Sequence, residues 1–227
     1  WYQLKLASHY EMEQYPQAAQ TLETIISRWP DKKVYWVQLS QIYYKLKQEE
    51  KALAVMALAY RRGMLDKQSD ITFLSSLYSN VDVPYKAANV LEKGINDGVV
   101  EPTKNYWTVV ADSWYAAEEL EKSLAAYEKA GKASQDGKID LRRGYILVDL
   151  ERWPEALAAL NAALEKGGMR QEKVGEAYLL RGMARFNLGR FDGASADWGK
   201  ARRYDGTKDA AQQWINHLQE ERRRKTS

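Results

Sequence analysis

The sequence contains no cysteine and only two histidines, His9 and His217, one near each end of its 227 residues. Disulfides, cysteine-based metal sites and thiol chemistry are therefore excluded. Metal binding and acid–base catalysis keep few of their usual donors. No stretch approaches the roughly 18 consecutive apolar residues that a membrane-spanning helix needs. Neither sign of charge dominates: 34 Lys and Arg stand against 31 Asp and Glu, a net of +3. So small an imbalance gives no general argument for nucleic acid or an anionic surface. Glycine (14), proline (5) and phenylalanine (3) are sparse. Tyrosine (15) and tryptophan (8) are not, and aromatics with a polar atom suit half-buried positions between packed helices and open grooves. With 45% hydrophobic residues the chain is of globular composition.

The chain repeats itself. The segments QYPQAAQTLETII (14–26), KQEEKALAVMALAY (47–60) and VPYKAANVLEKGI (83–95) share a pattern with ELEKSLAAYEKAG (119–131), ERWPEALAALNAAL (151–164) and GRFDGASADWGKA (189–201). Each has a small residue, at Ala18, Ala52, Ala87, Ser123, Ala156 and Ala194, with successive spacings of 34, 35, 36, 33 and 38. Four residues later comes a large one: Leu22, Met56, Leu91, Tyr127, Leu160 and Trp198. Three further on, all but Ile25 are small again: Ala59, Gly94, Ala130, Ala163 and Ala201. Upstream of each block lies a second segment with its own frame. YWVQLSQIYYKL (35–46) and NYWTVVADSWYA (105–116) align Trp36 with Trp107, Ser40 with Ala111 and Tyr43 with Trp114, and Ser75, Gly144 and Gly182 keep the small position elsewhere.

Spacings of i, i+3, i+4 and i+7 mark amphipathic helices. The small residues let two helices approach closely while the large neighbour fills the adjacent gap. Pro16, Pro84 and Pro154 suit first helical positions, and breakers such as Gly167-Gly168 and Asp205-Gly206 separate the units. The expected architecture is all-α: six helix–turn–helix units at about 1–30, 33–64, 68–99, 104–135, 137–168 and 175–206. A helix over about 207–225, with Trp214, Ile215 and Leu218 on one face, is expected to cap them. The long last spacing predicts a longer loop around Glu165–Glu172.

This periodicity resembles the tetratricopeptide repeat (TPR), a 34-residue helix–turn–helix, over essentially the whole chain. The resemblance implies a single right-handed superhelical solenoid. Asp140 and Arg143 depart from it at apolar positions, and His9 and Arg185 stand where an aromatic is usual. A narrower similarity lies in RWPDKK.YW.QL (28–39), AYRRGML (59–65) and VPYKAA (83–88). These segments resemble TPR proteins encoded beside the TonB–ExbB–ExbD energy-transducing machinery of Gram-negative bacteria. That similarity implies a periplasmic location and envelope partners. Because the sequence opens inside a repeat at Trp1, it is expected to be the C-terminal part of a longer chain.

Nothing in the sequence points to catalysis or a cofactor. The carboxylate pairs Glu49-Glu50, Glu118-Glu119 and Glu220-Glu221 are adjacent residues, which diverge on a helix. His217 is expected on the charged side of the last helix. No phosphate loop, nucleophile set or metal-ligand cluster is present. The basic terminus, Arg222, Arg223, Arg224 and Lys225, reads as a helix C-terminus complementing the macrodipole, so no nucleic-acid partner is expected.

In a TPR stack the first helix of each hairpin lines a concave face that binds peptides or partner helices. Here those inward positions are Tyr10, Tyr44, Tyr115 and Phe186, with Ser79 and Val148 in the gaps. One turn earlier stand Gln41, Ser76, Asp112, Tyr145 and Met183. An aromatic ladder with interspersed amides and single charges suits an extended peptide. Each tyrosine equally suits covering a helix–helix seam with its hydroxyl in water. TPR domains that grip a C-terminal carboxylate use Lys, Asn and Arg where this chain has Val37, Gln41, Thr72, Ser76, Thr108 and Asp112, which disfavours that subfamily. The expected function is a non-catalytic scaffold for a protein or peptide, in support of TonB-dependent transport. The alternatives are a recruiting module of an enzyme with an upstream catalytic domain, and a self-assembling oligomer.

Overall fold

The computed structural model describes residues 1–226, with side chains through Arg224. Among the described residues there are only helices and their connections: α1 (Tyr2–Glu11), α2 (Tyr15–Arg28), α3 (Lys33–Lys45), α4 (Glu49–Arg61), α5 (Gln68–Asn80), α6 (Pro84–Asn96), α7 (Lys104–Ala116), α8 (Leu120–Lys132), α9 (Lys138–Asp149), α10 (Trp153–Lys166), α11 (Gln171–Asn187), α12 (Phe191–Ala201), a 3-10 turn at Asp205–Thr207 and α13 (Lys208–Thr226). Two compact units result. The first comprises Trp1–Pro102 and Asp112–Glu119, and the second Thr103–Ala111 and Leu120 onward. The fold is an all-helical array of helix pairs with a C-terminal helix. Pro16, Pro84 and Pro154 sit in the first two positions of α2, α6 and α10, where a missing N–H costs no helical hydrogen bond.

The six turns within the pairs are built alike. Glu13, Lys47, Asp82, Glu118, Glu151 and Gly189 all have φ between +53° and +71°. The N–H of each donates three residues back, to the carbonyl of Tyr10, Tyr44, Ser79, Tyr115, Val148 or Phe186. The next N–H donates five residues back in every case. This is the Schellman arrangement, which satisfies the last carbonyls of a helix and reverses the chain. Five of the six positions carry a side chain in a left-handed conformation that favours glycine, so the turn is imposed by packing of the flanking helices. Only Gly189 declares it in the sequence.

The repeated small residues lie inside the hairpins. Ala18, Ala52, Ala87, Ser123, Ala156 and Ala194 are all fully buried, as are Leu22, Met56, Leu160 and Trp198. A hydroxyl reinforces three of these contacts. Ser40 Oγ donates to Ala52 O at 2.7 Å, Ser75 Oγ to Ala87 O at 2.9 Å, and Ser123 Oγ to Ala111 O at 2.9 Å. In the third case serine and alanine have exchanged helices, and the bond runs the opposite way. Ser123→Ala should therefore lower stability by about 1 kcal/mol. The double variant Ala111→Ser/Ser123→Ala should restore most of it, by thermal melting, because the same bond re-forms from the other helix.

Two expectations need correction in the second unit. The wide spacing before Ala194 does not lengthen a loop. Residues 167–170 form a short connection, and α11 begins at Gln171 rather than near 175, running 17 residues where α7 has 13. Four extra residues are close to one helical turn, so the insertion leaves the packing face of α11 in phase. Asp140 is buried and accepts from Lys166 Nζ at 2.7 Å, with Arg143 Nη1 3.6 Å away. Finally, His217 does not sit on the charged side of α13: its ring lies 5.5 Å from Phe186 and 5.8 Å from Trp214.

Candidate functional site

In the first unit, Tyr10 on α1 and Gln41 on α3 line one open cavity of about 690 Å³, together with Leu6, Val34, Tyr35 and Gln38. Tyr10 is 36% and Val34 52% exposed. Burial pushes the Tyr10 phenol upward from its ordinary value, Lys45 opposing the shift and Tyr15 adding to it. It is therefore a neutral hydrogen-bond donor at physiological pH. Gln38 Oε1 is buried without a hydrogen-bond partner. A buried unpaired acceptor is costly, and a backbone N–H of a bound chain would satisfy it. Gln38 went unnamed in the sequence reading although it stands three residues before Gln41 on the same face.

Tyr44, 39% exposed, packs edge-on against Phe73 of α5 with centroids 5.8 Å apart, and Asn80 Nδ2 reaches its hydroxyl at 3.5 Å. It thus joins α3 to α5 while keeping one face in solvent. Ser76 Oγ donates back to its own helix, to Phe73 O at 2.9 Å and Thr72 O at 3.0 Å. Its hydroxyl proton is committed, and only its lone pairs remain for a ligand. Asp112 and Tyr115 lie exposed on α7, Tyr115 at 50%.

The second unit treats its share of the ladder differently. Met183 and Phe186 are not an open surface. Both pack against a buried cluster of Ala194, Trp198, Ala201, Ala211 and Leu218, with Trp214 and Ile215 of α13 beside them. Phe186 lies 5.9 Å from Trp198, 5.8 Å from Trp214 and 5.5 Å from His217. The C-terminal helix covers these two residues, because its apolar stripe must be buried somewhere. Tyr145 remains on an open cavity of about 340 Å³ between α9 and α11.

The residues set aside on sequence grounds are placed as follows. His9 Nδ1 pairs with Gln14 Oε1 at 2.8 Å across the first turn. Arg222 reaches Asp192 at 2.6 Å and Arg224 lies 3.7 Å from Glu221. The Lys225 side chain lies outside the described residues. Among the described residues, no group of three or more histidines and carboxylates is placed to hold a metal ion, and no helix is long and apolar enough to cross a membrane.

Helix pairs that recur every 33–38 residues, a buried small residue in each and Schellman turns of one kind define a helical-hairpin repeat protein. The model of the tetratricopeptide repeat family matches residues 7–66 and 141–206, more than half of the sequence. The chain belongs to the tetratricopeptide repeat family. Solved structures agree at the level of the fold. The C-terminal part of a TPR repeat-containing protein from Cytophaga hutchinsonii is 13% identical, with a TM-score of 0.61 over 97% of this chain and 89% of that one. YrrB, described as a TPR protein with an unusual peptide-binding site, is 15% identical, with a TM-score of 0.60 over 88% and 100%. MamA is 13% identical, with a TM-score of 0.57 over 78% and 94%. No curated protein matches the chain.

Proposed function

We propose that this chain is a non-catalytic scaffold that holds an extended segment of a partner protein against the exposed aromatic face of its first unit. The observation that carries this reading is the pairing of Tyr10 and Gln41 in one cavity that also presents the unsatisfied Gln38 acceptor. Rings supply apolar area at low entropic cost, and amides meet the backbone groups of an extended chain. Membership of a repeat family built for contact, and the peptide-binding site named for the structural neighbour YrrB, support it. The similarity of residues 28–39, 59–65 and 83–88 to the TonB-associated group sets the finer version. On that version the scaffold works in the bacterial periplasm, and its partner is a component of TonB-dependent energy transduction or outer-membrane transport.

Photo-cross-linking in cells tests both levels. A photoreactive residue at Tyr44 or Tyr115 should capture the same polypeptide, and one at Leu58, exposed on α4, should not. Tyr44→Ala should weaken that partner's affinity by about tenfold, as for a moderate interface anchor. Equal capture from Leu58, or none from either tyrosine, overturns the scaffold face. A captured partner from the cytosol alone overturns the periplasmic version and leaves the scaffold standing.

A further inference from the structure

The open cavity between α1 and α3 has Gln3, Ala7 and Glu11 in its wall from α1, and Val34, Gln38 and Gln41 from α3. Residues three or four apart share a helix face, so each helix turns one stripe toward the cavity. Glu11 is the acidic member of the wall, and no wall residue is Lys, Arg or His. We propose that this cavity receives a cationic side chain, an arginine or a lysine, from the segment that the scaffold holds. The assignment rests on the peptide-scaffold reading and adds to it the charge of the ligand.

Glu11 is exposed, and its carboxylate makes no hydrogen bond or ion pair among the described residues. It is also the last residue of α1. The helix dipole is already negative at that end, where a further negative charge is unfavourable and a cation is welcome. The nearby basic groups are engaged elsewhere. His9 pairs with Gln14. Lys45 is felt at Tyr10, but its ammonium donates to the Tyr15 hydroxyl and lies 3.9 Å from the centre of that ring.

The rest of the wall suits the same ligand. Gln38 Oε1, buried and unpaired, calls for a donor from the bound segment, whether backbone or side chain. Gln3 Nε2 donates to the Tyr35 hydroxyl at 2.9 Å, which holds that ring in the wall. The rings of Tyr10 and Tyr35 add π surface, which attracts cations. Leu6 and Val34 offer apolar surface to the methylene stem of a long basic side chain. A bare metal ion does not fit, because one carboxylate is too few hard ligands to hold it. Arginine fits better than lysine: its planar fork carries five donors and stacks on rings, whereas an ammonium is a compact point charge.

The test is selection of random short peptides, displayed on phage, against the full chain, followed by fluorescence anisotropy with the selected peptides. These should share an arginine, or less often a lysine, flanked by apolar residues. Replacing that residue by glutamine should weaken binding about threefold to fivefold, the range for an exposed ion pair, and less so as salt is raised. In Glu11→Gln the same replacement should cost less than about twofold, while circular dichroism stays unchanged because the side chain is exposed and unpaired. Tyr10→Ala and Gln38→Leu report on the scaffold reading itself, and both should weaken every selected peptide. Gln38→Leu should at the same time raise the melting temperature, since it removes a buried acceptor that lacks a partner. Selected peptides without a basic residue overturn the cationic subsite, as does a glutamine penalty that persists in Glu11→Gln. If such peptides still depend on Tyr10 and Gln38, the scaffold reading stands without it. Failure to select any peptide, or selected peptides indifferent to both Tyr10→Ala and Gln38→Leu, overturns the two together.

Discussion

Asp197→Ala is expected to lower the stability of the second unit by about 3–5 kcal/mol, the range for removing one partner of a buried ion pair. Asp197 on α12 is 1% exposed. Its carboxylate accepts from Arg181 Nε at 2.8 Å and Nη2 at 2.7 Å, a two-pronged fork, and from Arg185 Nη1 at 2.8 Å. Both arginines belong to α11, so one carboxylate ties the two helices of the hairpin together. Its removal strands two guanidiniums and leaves a cavity. Each arginine keeps one neutral acceptor, Asn161 Oδ1 for Arg181 and Gly193 O for Arg185, which holds the cost toward the lower end of the range. Asp197→Asn keeps the shape but puts an NH2 group where an acceptor is needed, and should cost less than alanine but more than 1 kcal/mol, roughly the worth of one neutral hydrogen bond. Urea unfolding followed by circular dichroism measures the loss. Hydrogen exchange should place it in α11 and α12, since repeat units contact mainly their neighbours. A loss of less than about 1 kcal/mol for alanine would show that the pair is no stronger than a surface salt bridge.

The second large effect inverts an ordinary rule. Glycine inside a helix usually costs about 0.5–1 kcal/mol relative to alanine, so Gly→Ala on a helix is normally stabilising. Gly182, within α11, should behave oppositely. A Cβ there would stand 2.3 Å from Trp198 Nε1 and 2.5 Å from its Cδ1. The indole cannot retreat cheaply. It is fully buried, donates to Leu179 O at 3.2 Å and stacks on Trp214 with centroids 5.3 Å apart and planes 19° from parallel. Gly182→Ala should therefore destabilise by about 3 kcal/mol, as an overpacked core does. It should also shift the tryptophan fluorescence as α13 loses its seat. Gly199 on α12 has nothing within 4 Å of its would-be Cβ, and Gly199→Ala should stabilise by about 0.5–1 kcal/mol. Opposite signs at two glycines of the same hairpin separate close packing from backbone entropy in thermal melts. Equal signs would mean that Trp198 has room to move.

Much of this architecture is legible in the sequence because a repeat restates its packing rule six times. Ala52, Ala87 and Ala194 recur in phase, and their burial follows from the requirement that two helices cross closely. The proposed interaction face is legible only in part. Tyr10, Gln41, Tyr44 and Tyr115 project from first helices in matching frame, and those positions are open. Met183 and Phe186 occupy the same frame, yet α13 covers them. Periodicity assigns a residue to a side of its helix and carries no information about which later segment comes to lie there. Gln38 escaped notice for a related reason: an amide on a polar stripe looks ordinary until its oxygen is found buried and unpaired.

The sequence by itself determined the helical register, the pairing of helices, the starts marked by Pro16, Pro84 and Pro154, and the absence of thiol chemistry. These are local properties, written in spacing and residue type. Only the tertiary structure decided that Asp197 gathers two arginines, that the extra residues lengthen α11 rather than the loop before it, and that Glu11 and Gln38 line one cavity. Each of these depends on groups distant in sequence meeting across a packed interface, and their charges take on meaning only through the neighbours that burial gives them.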